Sequence, residues 1–252
     1  MLLIDAGNSR CKWAWEVNGT WLHQGVLNNL DIAAWKALKN SFSRLQSPEK
    51  ILASNVAGML MAQQIAEVCA VWPCPVEYIA AQPQQCGVRN LYAQPAQLGS
   101  DRWAALLAAW QHVQGVCLVV NCGTATTIDA LSETGAFLGG LILPGIELMQ
   151  RSLKAGTTLA GMENGELTEF PLDTADAMAS GAIRATAGAI QHQYQLLEKR
   201  GKVRCILSGG AAKSLLPHLG LNAELIDNLV LHGIQIIGQN CSTWTEKETV
   251  AR

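Results

Sequence analysis

The sequence predicts an α/β protein of two lobes with mixed sheets, alike in construction and facing each other across a cleft, and three observations predict it. Strands and helices alternate along the chain, as in a layered α/β lobe. The alternation restarts after Gly115. LLIDAGNSRCKWAW at 2–15 is echoed by LVVNCGTATTIDAL at 118–131: an apolar strand, an acid or its amide, one further residue, Gly, a small hydrogen-bonding residue, then a second strand.

Taken in order, 2–4 and 11–17 read as strands joined by a tight polar turn, and Asn18-Gly19 is a hairpin turn leading into a third strand at 21–26. Helical periodicity follows at 32–42, a strand at 50–54, a helix at 57–71 and a strand at 76–79. Residues 86–99, rich in Pro, Gln, Asn and Gly, predict an ordered loop. Asp101 opens an apolar helix through Trp110, with Ser100 or Asp101 as its N-cap. The second half repeats the plan, with strands at 116–120, through 130 and through 143, and turns at 121–124 and 133–135. Then come helices at 146–155 and 174–199, a strand at 203–208, a glycine pair, and helices at 211–216 and 228–238. The last dozen residues read as a frayed tail. No Ser/Gly-rich linker separates the halves, so the lobes divide as 1–115 and 116–252 about a pivot.

Composition narrows the function. A chain of 252 residues, 49% hydrophobic and 15% charged, buries a sizeable core. A net charge of -2 and a pI near 6.2, without a Lys/Arg cluster, argue against nucleic acid and membrane surfaces as partners. The eight cysteines form no CxxC pair and are expected to be reduced in the cytoplasm, which leaves Asn18-Gly19-Thr20 and Asn240-Cys241-Ser242 as chance glycosylation matches. The start has no signal-peptide pattern, and no apolar run reaches the roughly 20 residues of a membrane span. The histidines lack ligand spacing, which argues against zinc, and the tryptophans are expected in core or interface.

In each half of the echo the Gly lets the backbone bend sharply, presenting amides and the hydroxyls of Ser9, Thr124, Thr126 and Thr127. Two such bends clasp a polyphosphate. Asp5 is suited to hold a hydrated Mg²⁺, and Lys12 to neutralise phosphate charge. Leu207-Ser208-Gly209-Gly210-Ala211 ends a strand and opens a helix, where small residues admit a nucleotide's base and ribose. Singly each piece is an ordinary hairpin or close packing; their order along the chain points to ATP. Neither GxxxxGK[ST] nor GxGxxG occurs.

That order resembles the acetate and sugar kinase, heat-shock chaperone and actin superfamily, whose two ribonuclease-H-like lobes close on ATP. More narrowly, DAGNSRCKW at 5–13, NLYAQPAQLGSDRWAAL at 90–106, NCGTATTID at 121–129, GGLILPGIELM at 139–149 and NLVLHGI at 228–234 resemble type III pantothenate kinase. Sugar kinases do not share the combination of LGSDR, GTATT and GGLILPG. The resemblance implies ATP-dependent phosphorylation of pantothenate to 4'-phosphopantothenate, the opening step of coenzyme A biosynthesis. It assigns ATP to Asp5, Ala6, Gly7, Asn8, Ser9, Arg10, Cys11, Lys12, Gly123, Thr124, Gly209 and Gly210. Pantothenate falls to Tyr92, Gly99, Ser100, Asp101 and Arg102, with Asp101 the general base and Arg102 facing the substrate carboxylate. Thr174 is implied to come from the neighbouring subunit of a homodimer. A monovalent cation, K⁺ or NH₄⁺, is implied beside Asn121, yet many members carry Asp there and the amide lacks the attracting charge. Asp129 is the next carboxylate along the chain.

On the residues alone Asp101 serves as readily to cap its helix, Arg102 as a solvated helix residue and Tyr92 as a loop anchor. Three rival functions stand beside the kinase: a sugar kinase of the same superfamily, a regulatory accessory to transcription that has lost its base or phosphate turns, and a sensor that closes on ATP without turnover.

Overall fold

The computed structural model describes residues 1–156 and 165–240, so Cys241, Ser242 and the tail lie outside the described residues. The chain divides into two compact units, Met1–Gln111 with the chain from Leu229 onward, and His112–Asn228.

In the first unit, strands β1 (Leu2–Ala6), β2 (Arg10–Val17) and β3 (Thr20–Asn28) form the expected antiparallel meander. Asn18 and Gly19 turn it with φ of 50° and 84°, the left-handed pair that a tight hairpin needs. Helix α1 (Ile32–Phe42), capped by the Asp31 side chain, leads to β4 (Ile51–Asn55), and α2 (Met59–Cys69) leads to β5 (Val76–Tyr78). Both later strands run parallel to β1, giving the order β3-β2-β1-β4-β5. Side chains alternate across a strand. Thus Leu2, Ile4 and Ala6 meet Trp35, Leu38 and Phe42 of α1 and Ile65 and Val68 of α2, while Leu3 and Asp5 fall on the other face. Trp13 and Trp72 meet Phe42 with ring centroids 5.2 and 5.0 Å apart, the packing role expected of them.

The segment at 86–99, expected to be an ordered loop without elements of its own, carries two short ones. It includes β7 (Val88–Asn90), paired with β6 (Gln84–Gln85), and a 3₁₀ turn at Pro95–Gln97. Helix α3 then runs over Ser100–Val113.

The second unit places β8 (Cys117–Cys122), β9 (Ala125–Leu131) and β10 (Ala136–Pro144) in a second antiparallel meander. Helices α4 (Ile146–Gly156) and α5 (Thr174–Glu198) follow, then β11 (Arg204–Ser208), the short α6 (Ala212–Leu215) and β12 (Ala223–Leu225), a strand the sequence did not reveal. Within this unit the order is β12-β11-β8-β9-β10, with β11 parallel to β8. Leu118, Val120 and Cys122 pack under Ala187 and Ile190 of α5 and Leu215 of α6.

The last helix, α7 (Leu229–Asn240), corrects the assignment of 116–252 to one lobe, because it packs with the first unit. Leu231, Ile234 and Ile237 are buried there. Gly233 lies against the Ala104 backbone, and a Cβ on Gly238 would meet Leu52 Cδ1 at 2.7 Å, so two glycines let the helix approach closely. The Trp21 indole N–H donates to Gln235 Oε1 at 2.8 Å and the ring stacks on His232 at 4.4 Å, fastening α7 to the meander.

Candidate active site

The bend after Asp5 is closed by the Gly7 N–H donating to the Arg10 carbonyl at 3.1 Å. Asn8, Ser9 and Arg10 are exposed at its tip. Ala6 and Cys11 bury their side chains in the core, leaving only backbone for a ligand, and burial pushes the Cys11 thiol pKa up.

Strand register builds the rest of this site. Asp5 pairs with Lys12 on β2 and with Ser54 on β4, so Lys12, Asp5 and Ser54 form a row on the face away from α1 and α2. Ser54 is fully buried, and its hydroxyl lies 2.8 Å from that of Ser100 at the start of α3. This bond fastens the helix N-terminus to β4. Asp101 follows, close enough to Asp5 for the two carboxylates to repel.

That repulsion and, more strongly, burial push the Asp5 pKa up to about 7 against the partial offset of Lys12. Burial also raises Asp101; its Oδ1 accepts the Arg102 N–H at 2.8 Å, and that bond and the guanidinium pull the other way. Neither Ser100 nor Asp101 is the N-cap expected: the Ser100 hydroxyl turns to Ser54, and the Trp103 N–H donates to the Gly99 carbonyl at 2.9 Å. Asp101 instead satisfies an N–H from within the first turn. Gly99 makes room for it, since an added Cβ would lie 2.6 Å from Asp101 Oδ1.

Arg102 is not a solvated helix residue. It is 6% exposed, its Nη1 donates to Tyr92 Oη at 3.3 Å, and its guanidinium carbon sits 6.0 Å from the Tyr92 ring centroid. The Tyr92 N–H in turn donates to Asn90 Oδ1 at 3.1 Å. The first unit therefore gathers Asp5, Lys12, Gly99, Ser100, Asp101, Arg102 and Tyr92, together with Ser54, which sequence reasoning missed because a buried strand serine carries no distinguishing pattern.

In the second unit the matching bend is closed by the Gly123 N–H and the Ala125 carbonyl at 3.0 Å. Two other segments converge on it. The Gly145 N–H donates to the Thr124 carbonyl at 2.9 Å, with the Gly145 backbone against Gly123. Gly209, with φ of 96°, lies against Cys122, whose carbonyl accepts the Ala211 N–H at 3.1 Å. Gly209 and the second bend are thus brought together, with Gly210 exposed beside them; Gly145 was legible only as the end of GGLILPG. Thr124 is exposed, but Thr126 faces the core, because alternation along β9 sends its hydroxyl inward. Asn121 pairs with Thr127, and Asp129 lies two residues on along the same face, 1% exposed. Thr174 is exposed at the start of α5, next to Asp173, whose carboxylate caps that helix by accepting the Asp176 N–H at 2.9 Å.

Among the described residues no three or more His, Cys, Asp and Glu side chains gather as a metal cluster, and no helix is long and apolar enough to cross a membrane. What the first unit offers is acid–base chemistry: two half-buried carboxylates in different surroundings, one beside a lysine at a strand end, the other on a helix N-terminus beside a buried arginine.

Residues 1–196 match the family model of type III pantothenate kinase. A type III pantothenate kinase of Nitrosospira multiformis is 45% identical, covering 100% of this chain and 95% of its own length. One from Aromatoleum aromaticum is 41% identical over 95% of this chain and 98% of that protein. Among solved structures, a protein described as a Baf family transcriptional activator from Campylobacter jejuni aligns at a TM-score of 0.60 and 23% identity, covering 96% of this chain and 100% of that one. A protein described as a 2-dehydro-3-deoxygalactonokinase from Sinorhizobium meliloti aligns at 0.58 and 15%, covering 97% and 99%. The structural likenesses bear out the fold, a mixed α/β architecture of the ribonuclease-H-like kind. With the family model spanning most of its length and relatives above two-fifths identity, the chain belongs to the type III pantothenate kinase family.

Proposed function

We propose that this chain transfers the γ-phosphoryl group of ATP to the primary hydroxyl of pantothenate, the opening step of coenzyme A biosynthesis. The observation that carries the reading is the Asp5–Asp101 pair, with Arg102 buried at its side. The bend at 7–12 and the bend at Gly123 and Thr124 hold phosphates by backbone N–H groups, and Gly209 and Gly210 receive the rest of the nucleotide. The alcohol oxygen attacks the γ-phosphorus as its proton passes to Asp101, and the bond to the β-phosphate oxygen breaks to leave ADP. Arg102, held by Tyr92, takes the pantothenate carboxylate in bidentate fashion.

For Mg²⁺ the donor set fits: Asp5 offers one strand-end carboxylate that would hold the hydrated ion beside the phosphate oxygens. The ion, when bound, neutralises charge on the phosphate oxygens. For a monovalent cation, K⁺ or NH₄⁺, Asn121 offers an oxygen without charge and Asp129 is buried, so the reading gives it a minor role. A homodimer in which Thr174 completes the partner's site is supported by apolar residues left open beside it, Phe170 at 79% and Leu172 at 98% exposure. The free thiols of Cys11, Cys69, Cys117, Cys122 and Cys205 suit a reducing cytoplasm. A purely regulatory relative has no need of Asp5, Lys12 and Asp101 together.

The test is ADP release from MgATP across a panel of acceptors. Release with pantothenate and none with glucose or a keto-deoxy sugar acid is expected; release with a sugar, or with no acceptor, overturns the reading.

A further inference from the structure

The first bend is held from outside by a residue that none of the motifs read from the sequence includes. Asn29, just beyond β3, donates its backbone N–H to the Ser9 carbonyl at 3.1 Å and its Nδ2 to the Gly7 carbonyl at 2.8 Å. One residue thus fixes two of the bend's carbonyls, while the Gly7 N–H is spent on closing the bend itself. A phosphate is repelled by carbonyl oxygens and attracted by amides, so a bend serves as an anion cradle only if its carbonyls are kept turned away. Asn8, Ser9 and Arg10 at its tip are exposed.

A second observation sets Asn29 apart from an ordinary loop residue. Its Oδ1 is enclosed and has no hydrogen-bond donor among the described residues. A buried acceptor left unmatched is destabilising, so stability alone favours a different side chain here. The amide is kept for its donor.

We propose that Asn29 is a positioning residue for nucleotide binding: its side-chain amide and main-chain N–H pin the Gly7 and Ser9 carbonyls so that the bend presents amides to the phosphates of ATP. This rests on the reading that the bend at 7–12 binds those phosphates. It touches neither the acceptor pocket nor the reacting atoms, and so belongs to nucleotide affinity and not to acceptor recognition.

Calorimetric titration with MgATP, together with the KM for pantothenate, tests it on the full chain and three variants. Asn29→Ala removes the side-chain bond. Asn29→Asp keeps the shape but sets an acceptor against the Gly7 carbonyl. Asn28→Ala is the control, removing an exposed bond from the Leu30 N–H to Asn28 Oδ1 at 3.0 Å in the same loop. Loss of one such bond is expected to weaken MgATP binding about tenfold in Asn29→Ala and at least as much in Asn29→Asp. The pantothenate KM is expected to stay within about twofold and Asn28→Ala to bind as the parent does. Parental affinity in the Asn29 variants, an equal loss in Asn28→Ala, or a pantothenate KM rising in step overturns the inference. If Asn29→Ala does not fold, Asn29→Asp decides. A parent chain that does not bind MgATP sinks the nucleotide reading itself and the inference with it, and this is seen before any variant is compared.

Discussion

Asp5 carries a measurable signature of its surroundings. Its pKa, about 7 in the fold against 3.8 as an unperturbed group, means that the folded chain binds the extra proton between those values. Stability from this group is therefore complete below about pH 4 and declines as pH rises toward 7. Asp5→Asn is expected to stabilise the ligand-free chain above pH 7 by on the order of 1–3 kcal/mol and to change little near pH 4, as read by urea unfolding at the two pH values. A metal bound through the carboxylate competes with the same proton, so MgATP affinity of the parent is expected to fall as pH drops below about 7 and that of Asp5→Asn to be weak and flat. Gly99 makes a second prediction. Because a Cβ there would press on Asp101 Oδ1 at 2.6 Å, Gly99→Ala is expected to lower kcat by about ten- to a hundredfold with little change in Tm.

Elements show why some of this was legible and some not. The two strand-bend-strand units were readable because β1, β2, β8 and β9 are long enough for apolar pattern and bracketing glycines to register together. Strands β6, β7 and β12, of two or three residues, lack the β-branched and aromatic run that marks the equally short β5 and take their conformation from a partner strand. The burial of Arg102 was hinted at by α3 itself, whose SDRWAALLAAW leaves no polar face to carry a solvated arginine. Asn29 and Ser54 gave no signal, since a single polar residue acquires its partner only when distant segments meet. Convergence on the second bend was equally hidden, and it yields an element-scale prediction. The Gly145 backbone lies against Gly123, and neither can give way as a side-chain tip does. Gly145→Ala is expected to displace the bend and weaken MgATP binding by more than about tenfold, measured by titration; unchanged affinity would remove the second bend from the nucleotide site.

At the scale of the whole molecule, chain order and architecture part company at α7. Residues 229–240 read as the end of the second half, yet they cover the face of the first sheet that carries Leu3 and Leu52. What a terminal helix packs against depends on a surface formed by residues far away in sequence. Its contribution to stability is testable: Ile234 is fully buried, and Ile234→Ala is expected to cost about 2–5 kcal/mol in denaturant unfolding.

The account as a whole turns on Asp101 taking the proton of the acceptor hydroxyl beside phosphates held at the Asp5 bend. Asp101→Asn keeps the shape of the side chain and removes the base. Pantothenate-dependent ADP release by this variant is the most direct measurement, made alongside its MgATP affinity. A fall of at least about a hundredfold in kcat with nucleotide affinity retained is the predicted result. Release at the parental rate contradicts it.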